Sequence, residues 1–171
     1  VNGILKAKAG NSWLATDKEY GDYILKLEWR VPENGNSGIF IRVPELKPGE
    51  HPWVQGIEIQ VLDDKGPQYA GKLKPWQYSG SLYGAVAADQ SAFAGAGKWN
   101  AYEITCRGDL VTIVRVDVER RGYRRTFLLP FDRSYVPDRG GRPRPVVRRR
   151  ALARVADITA AGVDAVVAKG D

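Results

Sequence analysis

The sequence predicts an antiparallel all-β sandwich over its first 118 residues, on three observations. Apolar residues recur at every second position in several short runs. Clusters of Gly, Pro, Asn and Asp separate those runs, and no convincing amphipathic helix interrupts them. At 171 residues and 43% hydrophobic content, the chain is long enough to bury one core.

Residues 1–22 read as short β-like pieces: Ile4-Leu5, then Trp13-Leu14 after Gly10-Asn11, then a turn at Tyr20-Gly21-Asp22. Tyr23 to Val31 is the clearest strand. Tyr23, Leu25, Leu27, Trp29 and Val31 alternate with Ile24, Lys26, Glu28 and Arg30, and Pro32 stops the run. A loop from Pro32 to Gly38 leads into a strand from Ile39 to Val43. Residues 44–55 form a Pro-rich loop that holds the only histidine, His51. The next strand starts at Gly56: Ile57, Ile59 and Val61 face one way, Glu58 and Gln60 the other. Residues 65–98 show little periodicity, and an irregular segment of that length in a compact domain is often functional. Trp99 to Cys106 and Leu110 to Val118 then read as a hairpin turning at Arg107-Gly108-Asp109.

Beyond Val118 the pattern degrades. Residues 137–145 hold Gly140-Gly141 and three prolines, which argues for irregular chain, and Val146 to Lys169 is Ala/Val/Arg-rich with helical character. The expected organisation is therefore a partial sandwich over residues 1–118 and an atypical, irregular or helical Arg-rich tail over 119–171. Charge divides at the same place. Residues 1–106 hold 11 Lys or Arg against 12 acids, and residues 107–171 hold 15 against eight, with Arg replacing Lys. The net charge of +6 thus belongs to the last third and does not describe the site-bearing part. A nucleic-acid partner is not expected, since the basic residues lie outside the coherent domain.

No apolar run reaches the ~20 residues of a membrane helix, so no span is expected. No signal peptide is visible, but the chain also lacks an initiator Met. It reads as a mature form or fragment, and a periplasmic or extracellular location is compatible with it. The single cysteine, Cys106, excludes an internal disulfide and is expected to be a buried, inert thiol.

Acid, amide and guanidinium groups on the polar faces of neighbouring strands suit a polar, uncharged ligand such as a sugar. Glu58 and Gln60 come from one strand and Arg42 from the end of the other. Trp53, Trp76 and Tyr83 are candidates for stacking on a sugar ring, and His51 is a second candidate for proton transfer. No His/Cys cluster demands a metal, although Glu58, Asp63 and Asp64 are the residue types that hold a hard divalent cation.

A series of motifs then resembles a known family. In order they are Trp13-Leu14-Ala15-Thr16, Tyr20-Gly21-Asp22-Tyr23, Gly35-Asn36-Ser37-Gly38-Ile39-Phe40-Ile41-Arg42, Gly56-Ile57-Glu58-Ile59-Gln60-Val61-Leu62-Asp63, Gly80-Ser81-Leu82-Tyr83-Gly84 and Trp99-Asn100-Ala101-Tyr102-Glu103-Ile104. Together they resemble the 3-keto-disaccharide hydrolase domain over about residues 11–114. The resemblance implies the concanavalin A-like jelly roll of laminarinases and legume lectins. It also implies that the chain starts a strand or two late and that its ending departs from the family's. The expected explanation for residues 119–171 is a shifted reading frame in GC-rich DNA or an unrelated replacement.

Glu58-x-Gln60-x-x-Asp63 is also similar to the Glu-x-Asp-x-x-Glu arrangement of laminarinase-like retaining glycosidases, which need two carboxyls about 5 Å apart. Five residues is an odd spacing, so Asp63 joins the face of Glu58 only through a bulge. Without one, Asp64 takes that place. Gln60 stands where the central acid would be, which weakens ordinary glycosidase chemistry. The family's 3-keto substrate implies an easier route: the ketone acidifies the hydrogen on C2, a base removes it, and the enolate expels the glycosidic oxygen. On this reading Glu58 is the base, Arg42 clamps the enolate, Asp63 protonates the leaving group or helps hold a cation, and Gln60 binds sugar hydroxyls. The alternative from a different functional class is a non-catalytic, lectin-like carbohydrate-binding module on the same jelly roll.

Overall fold

The computed structural model describes residues 5–6, 13–16, 19–89, 93–108, 110–117, 122–130, 154–156 and 164–167. Among them ten strands form two antiparallel sheets. The strands are β1 (Leu5–Lys6), β2 (Trp13–Leu14), β3 (Tyr23–Arg30), β4 (Asn36–Ile41), β5 (Ile57–Leu62), β6 (Asn100–Arg107), β7 (Leu110–Asp117), β8 (Gly122–Pro130), β9 (Arg154–Ala156) and β10 (Asp164–Val167). One sheet runs in the order β1-β10-β3-β6-β7-β8, the other β2-β9-β4-β5.

The core lies between the sheets. Leu27 and Trp29 of β3, Tyr102 and Ile104 of β6, and Val111 and Ile113 of β7 meet Ile39 and Ile41 of β4 and Ile59 and Val61 of β5. In β3 the inward set is the one the alternation predicts. Ile24, Lys26 and Glu28 stay exposed while Leu27 and Trp29 are buried. Cys106 is buried in this core, and desolvation pushes its thiol up.

Three differences from the sequence reading have physical reasons. First, β4 begins at Asn36 rather than Ile39, because Gly35 turns tightly enough to donate to Pro32 O at 2.9 Å. It ends at Ile41 because Arg42 adopts φ 57°, outside the β region. Second, the described residues of 65–98 are irregular as expected apart from a short 3-10 turn, Pro75–Gln77, and the Pro-rich loop before β5 holds a four-residue α1 (Pro52–Gln55).

Third, residues 119–171 are strand wherever they are described, not irregular or helical. β9 fills the gap between β2 and β4, and β10 the gap between β1 and β3. Local propensity gives way here to the open ladder edges on either side, and the Val-rich pieces Arg154–Ala156 and Asp164–Val167 suit strands. The rest of the tail, on which the expectation of a shifted frame or an irregular or helical chain bears, lies outside the described residues.

Candidate active site

β4 and β5 pair with Phe40 opposite Glu58 and Gly38 opposite Gln60. Ile39, Ile41, Ile59 and Val61 point into the core, so Gly38, Phe40, Glu58 and Gln60 share the opposite face of the smaller sheet. The Glu58 side chain leans diagonally over Gly38. A Cβ at Gly38 would overlap the carboxylate oxygen Oε1 and stand 2.9 Å from Glu58 Cγ. Phe40 is buried beside it. Desolvation in this niche pushes the Glu58 carboxyl up to about 7, and no cation or donor among the described residues offsets it.

The free edge of β5 is extended by the segment 80–83. Gln60 N donates to Ser81 O at 3.0 Å and Tyr83 N to Glu58 O at 2.9 Å, flanking the bridge between Ile59 and Leu82. Leu82 packs in the core, so Tyr83 stands opposite Glu58 on the outward face. Tyr83 is 45% exposed. Gln77, in the 3-10 turn, donates through Nε2 to Tyr83 Oη at 2.9 Å, and Gln60 Nε2 donates to Gln77 O at 3.3 Å. Glu58, Gln77 and Tyr83 thus form one polar patch, while Gln60, expected to bind sugar hydroxyls, is buried beside it with its Oε1 accepting from Val61 N at 3.1 Å. Sequence reasoning misses Gln77. Its signal is the Lys-Pro-Trp-Gln order, a helix start with a capping amide at the third helical position.

Aromatic rings border the patch on the other side. Phe40 clusters with Val43, Trp13 and Leu46. Trp13 meets His51 and Trp53 edge-on at 5.7 and 6.1 Å, and His51 stacks on Trp53 at 4.2 Å. His51 is therefore a ring in an aromatic group linked to Glu58 through Trp13 and Phe40. Trp76, next to Gln77, has Lys74 Nζ 5.4 Å from its ring centroid.

Three expected contributors are engaged elsewhere. β4 and β5 pair in unbroken register through Leu62, so no bulge turns Asp63 toward Glu58. Asp63 is buried at the strand end, where its Oδ2 accepts from Asn34 N at 2.9 Å and ties two loops together. Five residues of strand separate it from Glu58, about 16 Å at ~3.3 Å per residue. Asp64 does not take its place, because its Oδ1 accepts from Ser79 N at 2.8 Å. The spacing needed for two-carboxylate retaining chemistry is absent from these residues. Arg42 also leaves the patch: it donates to the carbonyls of Gly21 at 3.1 Å and Gly108 at 2.6 Å, bridging loops of the sandwich. Among the described residues no group of three His, Cys, Asp or Glu is placed to hold a metal ion.

The fold and this patch define an antiparallel jelly-roll domain of the carbohydrate-processing or carbohydrate-binding kind, with Glu58 the one carboxyl among the described residues on the outward face of β4 and β5. The chain belongs to the family of 3-keto-alpha-glucoside-1,2-lyase-like domains, whose model matches residues 1–119. Solved structures share the fold. A "putative glycosyl hydrolase" from Parabacteroides distasonis superposes with a TM-score of 0.75 at 18% identity, over 96% of this chain and 84% of that one. A second from the same organism gives 0.76 at 18% identity, over 96% and 78%. A third gives 0.63 at 16%, over 96% and 70%. No curated protein sequence matches the chain.

Proposed function

We propose that this domain cleaves 3-keto-glucosides by elimination, with Glu58 as the base. The observation that carries the reading is that, among the described residues, Glu58 is the one carboxyl on the outward face of β4 and β5, with burial holding its proton affinity near neutrality. Double-carboxylate hydrolysis needs a partner acid that the described residues of this face do not supply. Elimination next to a ketone needs one base, and a base poised near the working pH is the efficient one.

The steps follow from the substrate's chemistry. Glu58 takes the proton from C2, and the C–H pair forms a C2–C3 double bond while the ketone oxygen becomes an enolate. The enolate collapses, the C1–O bond breaks, and the departing oxygen takes a proton from solvent to leave as the free alcohol. Water then adds across the C1–C2 double bond and restores a 3-keto sugar, while Glu58 gives up its proton. The second amide hydrogen of Gln77 Nε2 is offered to a sugar hydroxyl, Gln60 is buried with its amide spent on Val61 N and Gln77 O, and Trp53, 44% exposed, offers a ring face beside the patch.

The exposed rings of Trp53 and Tyr83 also favour a second reading, a non-catalytic sugar-binding module. One experiment separates the two. Purified protein is incubated with a 3-keto-glucoside and free alcohol is measured for wild type and Glu58→Gln. The enzyme reading expects release by wild type and its loss in the variant. Retention of sugar by both proteins with release by neither supports the module.

A further inference from the structure

We propose that the Tyr83 hydroxyl is the hydrogen-bond donor that receives the developing enolate oxygen, and that Gln77 aims it. The inference rests on the elimination reading above and adds a catalytic group to it. The reasoning concerns which way a proton points. Gln77 Oε1 accepts the backbone N–H of Lys74 at 3.0 Å, closing the cap of the 3-10 turn. That bond fixes the orientation of the amide, so Gln77 turns its N–H group, not its oxygen, toward Tyr83 at 2.9 Å. Tyr83 Oη is therefore an acceptor in this contact, and its own proton must go elsewhere. No acceptor among the described residues takes it, and the ring is 45% exposed. The free proton belongs to the ligand side of the patch.

Position agrees with this role. Tyr83 N donates to Glu58 O at 2.9 Å, so the two residues are direct cross-strand neighbours. Such neighbours have Cβ atoms about 5 Å apart. A ketone at C3 and the hydrogen at C2 are on adjacent carbons, so a base and an oxyanion donor are needed side by side, and Glu58 and Tyr83 stand side by side. Accepting a bond from Gln77 also polarises the hydroxyl and makes it a better donor. In the elimination step the hydroxyl keeps its proton and strengthens its hydrogen bond as negative charge moves onto the ketone oxygen.

The test compares wild type, Tyr83→Phe, Gln77→Glu and Glu58→Gln on one 3-keto-glucoside. The Gln77→Glu change keeps the cap acceptor for Lys74 N but turns an acceptor toward Tyr83, which then spends its proton internally. Tyr83→Phe and Gln77→Glu should each lower kcat by about 100-fold, with KM shifted far less, and the double variant should be no worse than either alone. If Tyr83→Phe keeps kcat within about twofold while Glu58→Gln is inactive, the inference fails and the elimination reading stands. If Gln77→Glu is harmless while Tyr83→Phe is not, the aiming role of Gln77 fails. If wild type releases no alcohol, the elimination reading fails and the inference falls with it.

Discussion

Gly38 and Glu58 fit together so closely that the glutamate carboxyl occupies the space a side chain at position 38 would need. The strand opposite has a glycine where a carboxyl must lie flat against the sheet. Gly38→Ala should displace the end of the Glu58 side chain rather than break the sheet, since the obstructing atoms are the flexible part of that side chain. Turnover of a 3-keto-glucoside should fall at least tenfold while the melting temperature moves by only a few degrees. Kinetics and thermal denaturation of the same preparation check both halves.

Activity should depend on pH through Glu58. The base works only when ionised, and burial has raised its carboxyl from an ordinary 4.5 to about 7. The acid limb of kcat/KM should therefore rise up to a plateau above about pH 7. A limb near pH 4.5 would contradict the burial of this group.

The same shift sets a stability trend of opposite sign. A carboxyl whose folded value is raised binds more protons folded than unfolded between about 4.5 and 7. Stability from this group is therefore present below about pH 4.5 and lost as pH rises through 7. Glu58→Gln removes the loss, and should make the protein more stable than wild type at pH 8 by on the order of 1–2 kcal/mol, with little difference at pH 4. Denaturant melts at the two pH values measure it.

Asp63 and Arg42 should behave as structural residues. Asp63→Ala leaves Asn34 N without its acceptor, and Arg42→Ala frees the carbonyls of Gly21 and Gly108. Each should cost about 1–3 kcal/mol of stability. The folded fraction should keep kcat and KM within a few-fold of wild type, which separates this role from leaving-group or enolate chemistry.

Much of this was legible in the sequence, and the parts that were not share a cause. The alternation of Ile57, Ile59 and Val61 with Glu58 and Gln60 places the carboxyl on the non-core face without any structure, because strand side chains have a period of two. The same rule warns that Asp63 does not join Glu58 unless the strand bulges, and the register shows no bulge. Arg42 misleads because its φ of 57° takes it off the strand just where alternation would extrapolate. Tyr83 and Gln77 lie in a segment with no period, so only the fold reveals that one pairs with β5 and the other orients it. The strands β9 and β10 were illegible for a related reason: they are short, and what makes them strands is the pair of neighbours each one joins.

The central claim is that Glu58 takes the C2 proton. The direct measurement is the fate of deuterium at C2 of a 3-keto-glucoside during early turnover in ordinary water. Elimination followed by hydration predicts that the released 3-keto sugar carries hydrogen from solvent at C2, and that Glu58→Gln neither exchanges the label nor releases the alcohol. Release of a 3-keto sugar that retains its C2 deuterium would contradict the account, since the glycosidic bond would then have broken without the base.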